Sequence, residues 1–308
     1  GVLTTVRDEN GNPTTMTYDA RGNVTSTKTC RDTTTNQCYT SYKSYPATVT
    51  NLYDPRNNLP TESRDARSAS ATDNTYRTQF TYHPSGQLAT QTSADGTQTS
   101  YKYTTGSEGA VGGGTQPAGL IDSMTNARGK ITKYGYYANG DVGKVTEPSG
   151  RSTEYTYDAV GRMITKKDIS DSFPAGVVTT YTYDGMSRLR TTTMPVTTNA
   201  VTNVQHQKRI TSTYDADGNV MSVEEADALG NDQTRTTSSA FDDHGRAITT
   251  TDPEGGQTTF DYDAFGNITS TTDPNGNRYD YAYTARNMLA EVRLRDWRSD
   301  PDGAPATG

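Results

Sequence analysis

The residues of this chain that could do chemistry are its carboxylates, its three histidines and its two cysteines. Cleaving a glycosidic bond would need two carboxyl groups opposed across a cleft. The aspartates instead recur at one place, directly after an aromatic residue: Asp19, Asp54, Asp158, Asp184, Asp215, Asp242 and Asp263. A catalytic group is not needed in every copy of a pattern, whereas a tight turn needs its bonding carboxylate each time. Asp215-Ala-Asp217-Gly-Asn219 opens like a calcium loop, but it lacks the Gly at the sixth place and the Glu at the twelfth. His83, His206 and His244 lie far apart, two of them in or beside turn sequences. No Ser or Cys stands in a nucleophile elbow. No catalytic residue and no metal ligand set is therefore assigned, no cofactor is expected, and the chain reads as a non-enzyme.

The elements that position these residues follow from a repeat. Ten aromatic anchors, Tyr18, Tyr53, Tyr82, Tyr136, Tyr157, Tyr183, Tyr214, Phe241, Tyr262 and Tyr283, share one spacing. Four places on stand Gly22, Asn57, Gly86, Gly140, Gly161, Ser187, Gly218, Gly245, Gly266 and Asn287. Six places on stand Val24, Leu59, Leu88, Val142, Met163, Leu189, Val220, Ala247, Ile268 and Leu289. A second turn signal precedes many anchors, as in Asp252-Pro-Glu-Gly255 and Asp273-Pro-Asn-Gly276. Asp opens such turns by bonding its own backbone, Pro presets φ, and Gly supplies the positive φ. Between turns the chain alternates with period two, as in Tyr279-Asp-Tyr281-Ala-Tyr283, which puts the rings on one face of a strand. No stretch has helical spacing. The pattern predicts an all-β chain of repeated antiparallel hairpins forming a curved ribbon.

Composition narrows the function classes. The 308 residues carry a net charge of −7 and a pI near 5.0, which argues against a nucleic-acid partner, since phosphate binding needs clustered Lys and Arg. No apolar run has the length of a membrane span. A hydrophobic fraction of 30% and a mean hydropathy of −0.86 lean toward disorder. The 21 tyrosines and the strict period argue instead for a thin sheet with a Tyr-lined face. Cys30 and Cys38 flank a polar loop and are a disulfide candidate across a hairpin. A bond there would mark an oxidising, extracellular setting, and free thiols would mark a cytosolic one.

The unit Tyr-Asp-x-x-Gly-Asn/Arg-aliphatic-Thr stands in Tyr18 to Thr25, in Tyr157 to Met163 and in Tyr262 to Thr269. It resembles the YD repeat of the Rhs family, found in bacterial Rhs polymorphic toxins, C components of Tc toxins, wall-associated proteins and teneurins. The resemblance covers nearly the whole chain. It implies that the ribbon is part of a spiral hollow β-shell, which in the toxins encloses a C-terminal effector. It also marks Tyr18, Gly22, Tyr157, Gly161, Tyr214, Gly218, Tyr262 and Gly266 as repeat-structural residues. The toxins' closing motif, Asp-Pro-x-Gly-Leu, is associated with self-cleaving aspartates. Here Gly256 and Asn277 follow the two Asp-Pro-x-Gly turns, so those aspartates are not carried over.

Residues 1–297 are accordingly expected to form one repeat ribbon of about ten units, with loop insertions near 30–45 and 104–120. Residues 298–308 read as a linker at a truncated C-terminus. About 20 strands spaced about 4.8 Å apart make a ribbon on the order of 95 Å long, a ring about 30 Å across. A folded 100-residue cargo is about 34 Å across. The expected role is a structural segment of a secreted or cell-surface shell, partnered by the remaining shell turns and the C-terminal effector of the same parent chain. The alternative is an extracellular adhesion or carbohydrate-binding module. Open sheet edges also predict self-association.

Overall fold

The computed structural model describes residues 2–32, 37–47, 51 and 53–297; the linker expected at 298–308 lies outside them. The chain divides into two compact units, Gly1–Thr153 and Glu154–Gly308. In the first, the strands from Thr5–Arg7 to Val142–Thr146 form a meander in which each pairs antiparallel with its sequence neighbour. In the second, the strands from Met163–Ser170 to Leu289–Asp296 do the same. One short hairpin, Thr197–Thr198 with Gln205–His206, stands apart from that meander. The fold is all-β, as the alternation requires. Its one helical element among the described residues is a 3-10 turn at Pro55–Asn58.

The aromatic anchor and its aliphatic partner face each other in the ladder. Tyr18 pairs with Val24, Tyr82 with Leu88, Tyr136 with Val142, Tyr214 with Val220 and Tyr262 with Ile268. In each case the register shifts by one residue directly below the pair, so Thr17 faces Ser26 and Thr81 faces Thr90. The residue after the aliphatic partner is thus the extra residue of a β-bulge, which increases the local twist of its strand. Beneath the bulge sits a cross-strand hydroxyl pair. Thr81–Thr90, Thr156–Thr165, Thr182–Thr191 and Thr213–Ser222 are each joined at 2.6 Å. These pairs account for much of the Thr content, because a hydroxyl there finds a partner without leaving its strand.

The walls are one sheet thick. Among the described residues, Tyr136 is the only hydrophobic side chain that is fully buried, at 7% exposure. Other anchor rings are half-buried. A sheet without a second apolar layer must draw its cohesion from ladder bonds and from contacts between adjacent hairpins, because little apolar area leaves water.

Two insertions replace an anchor turn. Tyr103 pairs with Ile121 above the same register shift, so residues 104–120 stand where the turn would be. This Gly-rich stretch carries its own bonds. The Glu108 carboxylate accepts from the Thr105 and Gly106 amides, and those donors lower its pKa to about 2. Val111 lies so close over Gly143 that a Cβ there would meet it at 2.8 Å.

The second insertion overturns one assignment of the repeat. Tyr53 is 93% exposed and lies in no strand. Asp54 does not open a hairpin but caps the 3-10 turn, accepting from the Arg56 amide at 2.9 Å. Asn57 is buried and has no positive φ. The anchor of that unit is Tyr45, which directly follows a strand whose Ser44 faces Glu62. Pro55 fits the first position of a 3-10 turn, so the Tyr-Asp-x-x-Asn spacing arose inside a loop.

Candidate functional site

The anchor turns share one geometry. In the turn after Tyr18, the Asp19 amide donates to Asn23 O at 2.9 Å and the Gly22 amide to Asp19 O at 3.0 Å. That is a three-residue hairpin loop closed by a left-handed residue. Asp19 Oδ1 accepts from the Arg21 and Asn23 amides, both at 2.9 Å. Asp158, Asp184, Asp215, Asp242 and Asp263 repeat the arrangement. Gly22, Gly161, Gly218 and Gly266 have φ of 85°, 83°, 97° and 86°, and Ser187 and Asn287 substitute at 64° and 60°. Asp215-Ala-Asp217 is thus a turn of this kind, its Oδ1 filled by the Asp217 and Asn219 amides.

Each turn is then tied to its neighbour by the anchor tyrosine. The Tyr45 hydroxyl donates to Val24 O at 3.1 Å, Tyr82 to Pro60 O at 2.8 Å and Tyr103 to Leu88 O at 2.9 Å. Tyr136 donates to Ile121 O at 2.8 Å, and Tyr183 to Met163 O at 2.8 Å. Tyr214 donates to Leu189 O, and Tyr262 to Ala247 O, both at 2.7 Å. Tyr18 does the same to Leu3 O. Apart from Pro60 and Leu3, the acceptor is the carbonyl at the aliphatic position of the preceding hairpin, beside the bulge. The hydroxyl therefore satisfies a group that the irregular ladder leaves exposed. Sequence alternation places these rings on a face but says nothing of where the hydroxyls point.

The residue after the left-handed turn residue, Gly or Ser187, makes a second tie when it is arginine. Arg162, Arg188 and Arg246 each bond the turn aspartate of their own hairpin through Nε at 2.7 Å. Each guanidinium also stacks on the next anchor ring, over Tyr183 at 4.8 Å, Tyr214 at 4.6 Å and Tyr262 at 4.6 Å. Nη1 donates onward to Asp184 O, Asp215 O and Asp263 O at 3.4, 2.7 and 3.3 Å. Asparagine at the same place, as in Asn23, Asn219 and Asn267, closes only its own turn, at 2.8–3.0 Å to the Asp, except that Asn267 also reaches Asn287 Oδ1 at 2.5 Å. The alternation of Asn and Arg after Gly is the sequence signal for this tie.

The electrostatics follow from the bonding. The side-chain bond from Arg246 holds the Asp242 carboxyl at about 2, and the amide of Asn23 does the same for Asp19. Asp158, Asp184, Asp215 and Asp263 are also lowered, the first two chiefly by backbone amides of Arg162 and Arg188, the others by Asn side chains. These aspartates are fixed anions and acceptors, not proton donors.

Cys30 and Cys38 face each other in the register of Val24–Asp32 with Gln37–Ser44, with Cα atoms 4.0 Å apart, and are joined as a disulfide. Tyr157 ends the strand Ser152–Tyr157, and its turn closes with the Gly161 amide on Asp158 O at 3.0 Å. No helix of the described residues is long and apolar enough to cross a membrane.

A family model described as RHS Repeat matches residues 1–35, 136–171, 241–278 and 262–304. The chain carries RHS repeats in those stretches. The solved structure of TcdB2-TccC3 without its hypervariable C-terminal region superposes with a TM-score of 0.53 at 17% identity, over 94% of this chain. The Photorhabdus luminescens Tc holotoxin pore gives a TM-score of 0.51 at 17% identity, also over 94%. At that identity the likeness shows the fold. The chain spans 16% of the length of each of those chains. No curated protein matches it.

Proposed function

We propose that this chain is a non-catalytic stretch of shell wall that encloses or delivers a C-terminal toxin or effector of the same parent chain. The observation that carries this reading is the tie from hairpin to hairpin. A one-layer sheet with a single fully buried apolar side chain among the described residues is held by hydroxyl and guanidinium bonds aimed at the backbone of the next unit. Such a sheet makes a wall whose two faces are free to meet cargo on one side and solvent on the other. The likeness of fold to TcdB2-TccC3 supports it. The non-catalytic reading is supported by the carboxylates whose pKa moves clearly, all of which move down. A general acid needs the opposite shift. The disulfide at Cys30–Cys38 supports a secreted or cell-surface setting.

Electron microscopy of the full parent protein tests the reading. A closed hollow particle with density inside is the expected result, and an open or empty sheet would overturn it. The second reading, adhesion to carbohydrate, is favoured by one surface: Phe265, 85% exposed, borders a cleft with Tyr281, Tyr283, Asp263 and Asn287. Glycan-array binding lost in Phe265→Ala would move the assignment to adhesion.

A further inference from the structure

Outside the repeat ties, one cluster brings together side chains that the sequence holds far apart. His206 ends the short hairpin Thr197–Thr198/Gln205–His206. Asp227 ends the strand Val220–Asp227, and Asp232 lies in the connection that follows. His206 Nδ1 is 3.0 Å from Asp227 Oδ2 and 2.9 Å from Asp232 Oδ2. The three donor atoms all lie within 4.8 Å of one another, at the wall of a cleft of about 590 Å³.

Protons alone serve this arrangement poorly. An imidazole Nδ1 carries at most one hydrogen, yet two carboxylate oxygens stand at full bonding distance from it. One divalent cation would take a lone pair from all three. Bonds of about 2.1 Å at the tetrahedral angle put neighbouring donors about 3.4 Å apart, so a shift of about half an ångström from the observed 2.9–3.0 Å would admit an ion. The Asp227 side chain is only 3% exposed. Its Oδ1 is oriented by the Gln207 and Leu229 amides at 2.8 and 3.0 Å, as an outer shell orients a ligand. The nearby cations are already paired, Lys208 with Glu225 and Arg235 with Glu254, each at 2.7 Å. Among the described residues, neither Asp227 nor Asp232 has a Lys or Arg ion-pair partner. Asp232, 64% exposed, leaves the outer side open to water.

We propose that His206, Asp227 and Asp232 bind one first-row divalent cation of the Zn2+ class. The ion pins the Thr197–His206 hairpin, which the meander does not include, to the end of the neighbouring strand. One nitrogen and two oxygens suit zinc, cobalt or manganese better than calcium, which takes six or more oxygens.

The test uses the full chain, stripped with EDTA and titrated with ZnCl2 against a chromophoric chelator, with Co2+ absorption as a second readout. One Zn2+ per chain is expected, together with a rise in Tm. His206→Ala and Asp232→Asn should each weaken binding about tenfold or more, and Asp217→Asn, an exposed turn carboxylate elsewhere, should not. Asp232 is chosen because its exposure lets the variant fold, whereas Asp227 also holds a turn. No Zn2+ uptake, or uptake unchanged in both variants, would overturn the proposal. So would a pH-dependent Tm that flattens in His206→Ala without metal uptake, because the imidazole would then be a protonated bridge between two carboxylates.

Discussion

The two kinds of turn in each repeat have the same backbone and different surroundings. The anchor turn after Tyr262 and the opposite turn at Asp273 both close with an Asp amide, a positive-φ Gly and an Oδ1 acceptor. Below the anchor turn the register shifts by one residue, whereas Thr272 faces Arg278 with no shift beside the opposite one. The same contrast holds in the first unit, between Tyr82–Leu88 and Thr92–Gln98. The tyrosine and arginine ties belong to the anchor turns. Turn chemistry thus makes hairpins at both ends of the strands, and the coupling of one hairpin to the next is concentrated at the bulged end. The comparison predicts that equal substitutions at the two ends will cost different amounts.

The largest difference is expected at Tyr136, the one fully buried ring among the described residues. Tyr136→Ala should cost about 3–5 kcal/mol, as for other large buried aromatics. Tyr136→Phe, which removes only the bond to Ile121 O, should cost about 1 kcal/mol. Urea unfolding of both variants separates ring from hydroxyl. Equal losses would assign the whole effect to the hydroxyl bond, and no loss in Tyr136→Phe would show that packing alone holds the ring.

The turn glycines come next. Gly140, at an anchor turn, has φ of 95° with Pro117 and Leu120 at 3.8 and 3.9 Å from a Cβ; Gly150, at an opposite turn, has φ of 86° and nothing within 4 Å. A β-branched residue in left-handed backbone costs about 1–3 kcal/mol. Gly140→Val should therefore be worse than Gly150→Val, which carries the backbone strain alone. If the two melt alike, the anchor turn is not the tighter site.

Acid titration probes the charged half of the anchor turn. Asp242 and Asp19 are held at about 2, below the ordinary value of 3.8. Their bonds therefore add stability that is fully present above about pH 4 and is lost as pH falls through about 2. Thermal melts should be flat down to about pH 4 and then decline. Asp242→Asn should soften that decline, and a decline already complete at pH 5 would refute the assignment.

Much of this was legible in the chain because each repeat position has a local cause. The Asp, the Gly and the alternating Tyr are fixed by the turn and the pleat, so eight of the ten anchor pairings appear at the expected register. What one sequence could not show was where long side chains reach. The Tyr hydroxyl and the Arg guanidinium find partners 15 to 27 residues away. Tyr53 misled because a capped 3-10 turn uses the same Asp as a hairpin turn. His206 and Asp227 are 21 residues apart, and no spacing rule joins them before the hairpin folds back.

The smallest effect tests the tie by adding it. Phe241 is the anchor whose side chain has no hydroxyl, although it pairs with Ala247 above the same bulge as the others. By the pattern of the other hairpins, a hydroxyl there would point at Val220 O. Phe241→Tyr should therefore gain about 0.5–1 kcal/mol, the net worth of one hydrogen bond, and its unfolding midpoint should rise while its slope is unchanged. Arg188→Ala, which removes the guanidinium stacked on Tyr214, should lose about 0.5–1 kcal/mol by the same measure. A gain at Phe241 with no loss at Arg188 would assign the coupling to the hydroxyl alone. The reverse would leave the bulged end held by its arginines, with the tyrosines serving only as rings.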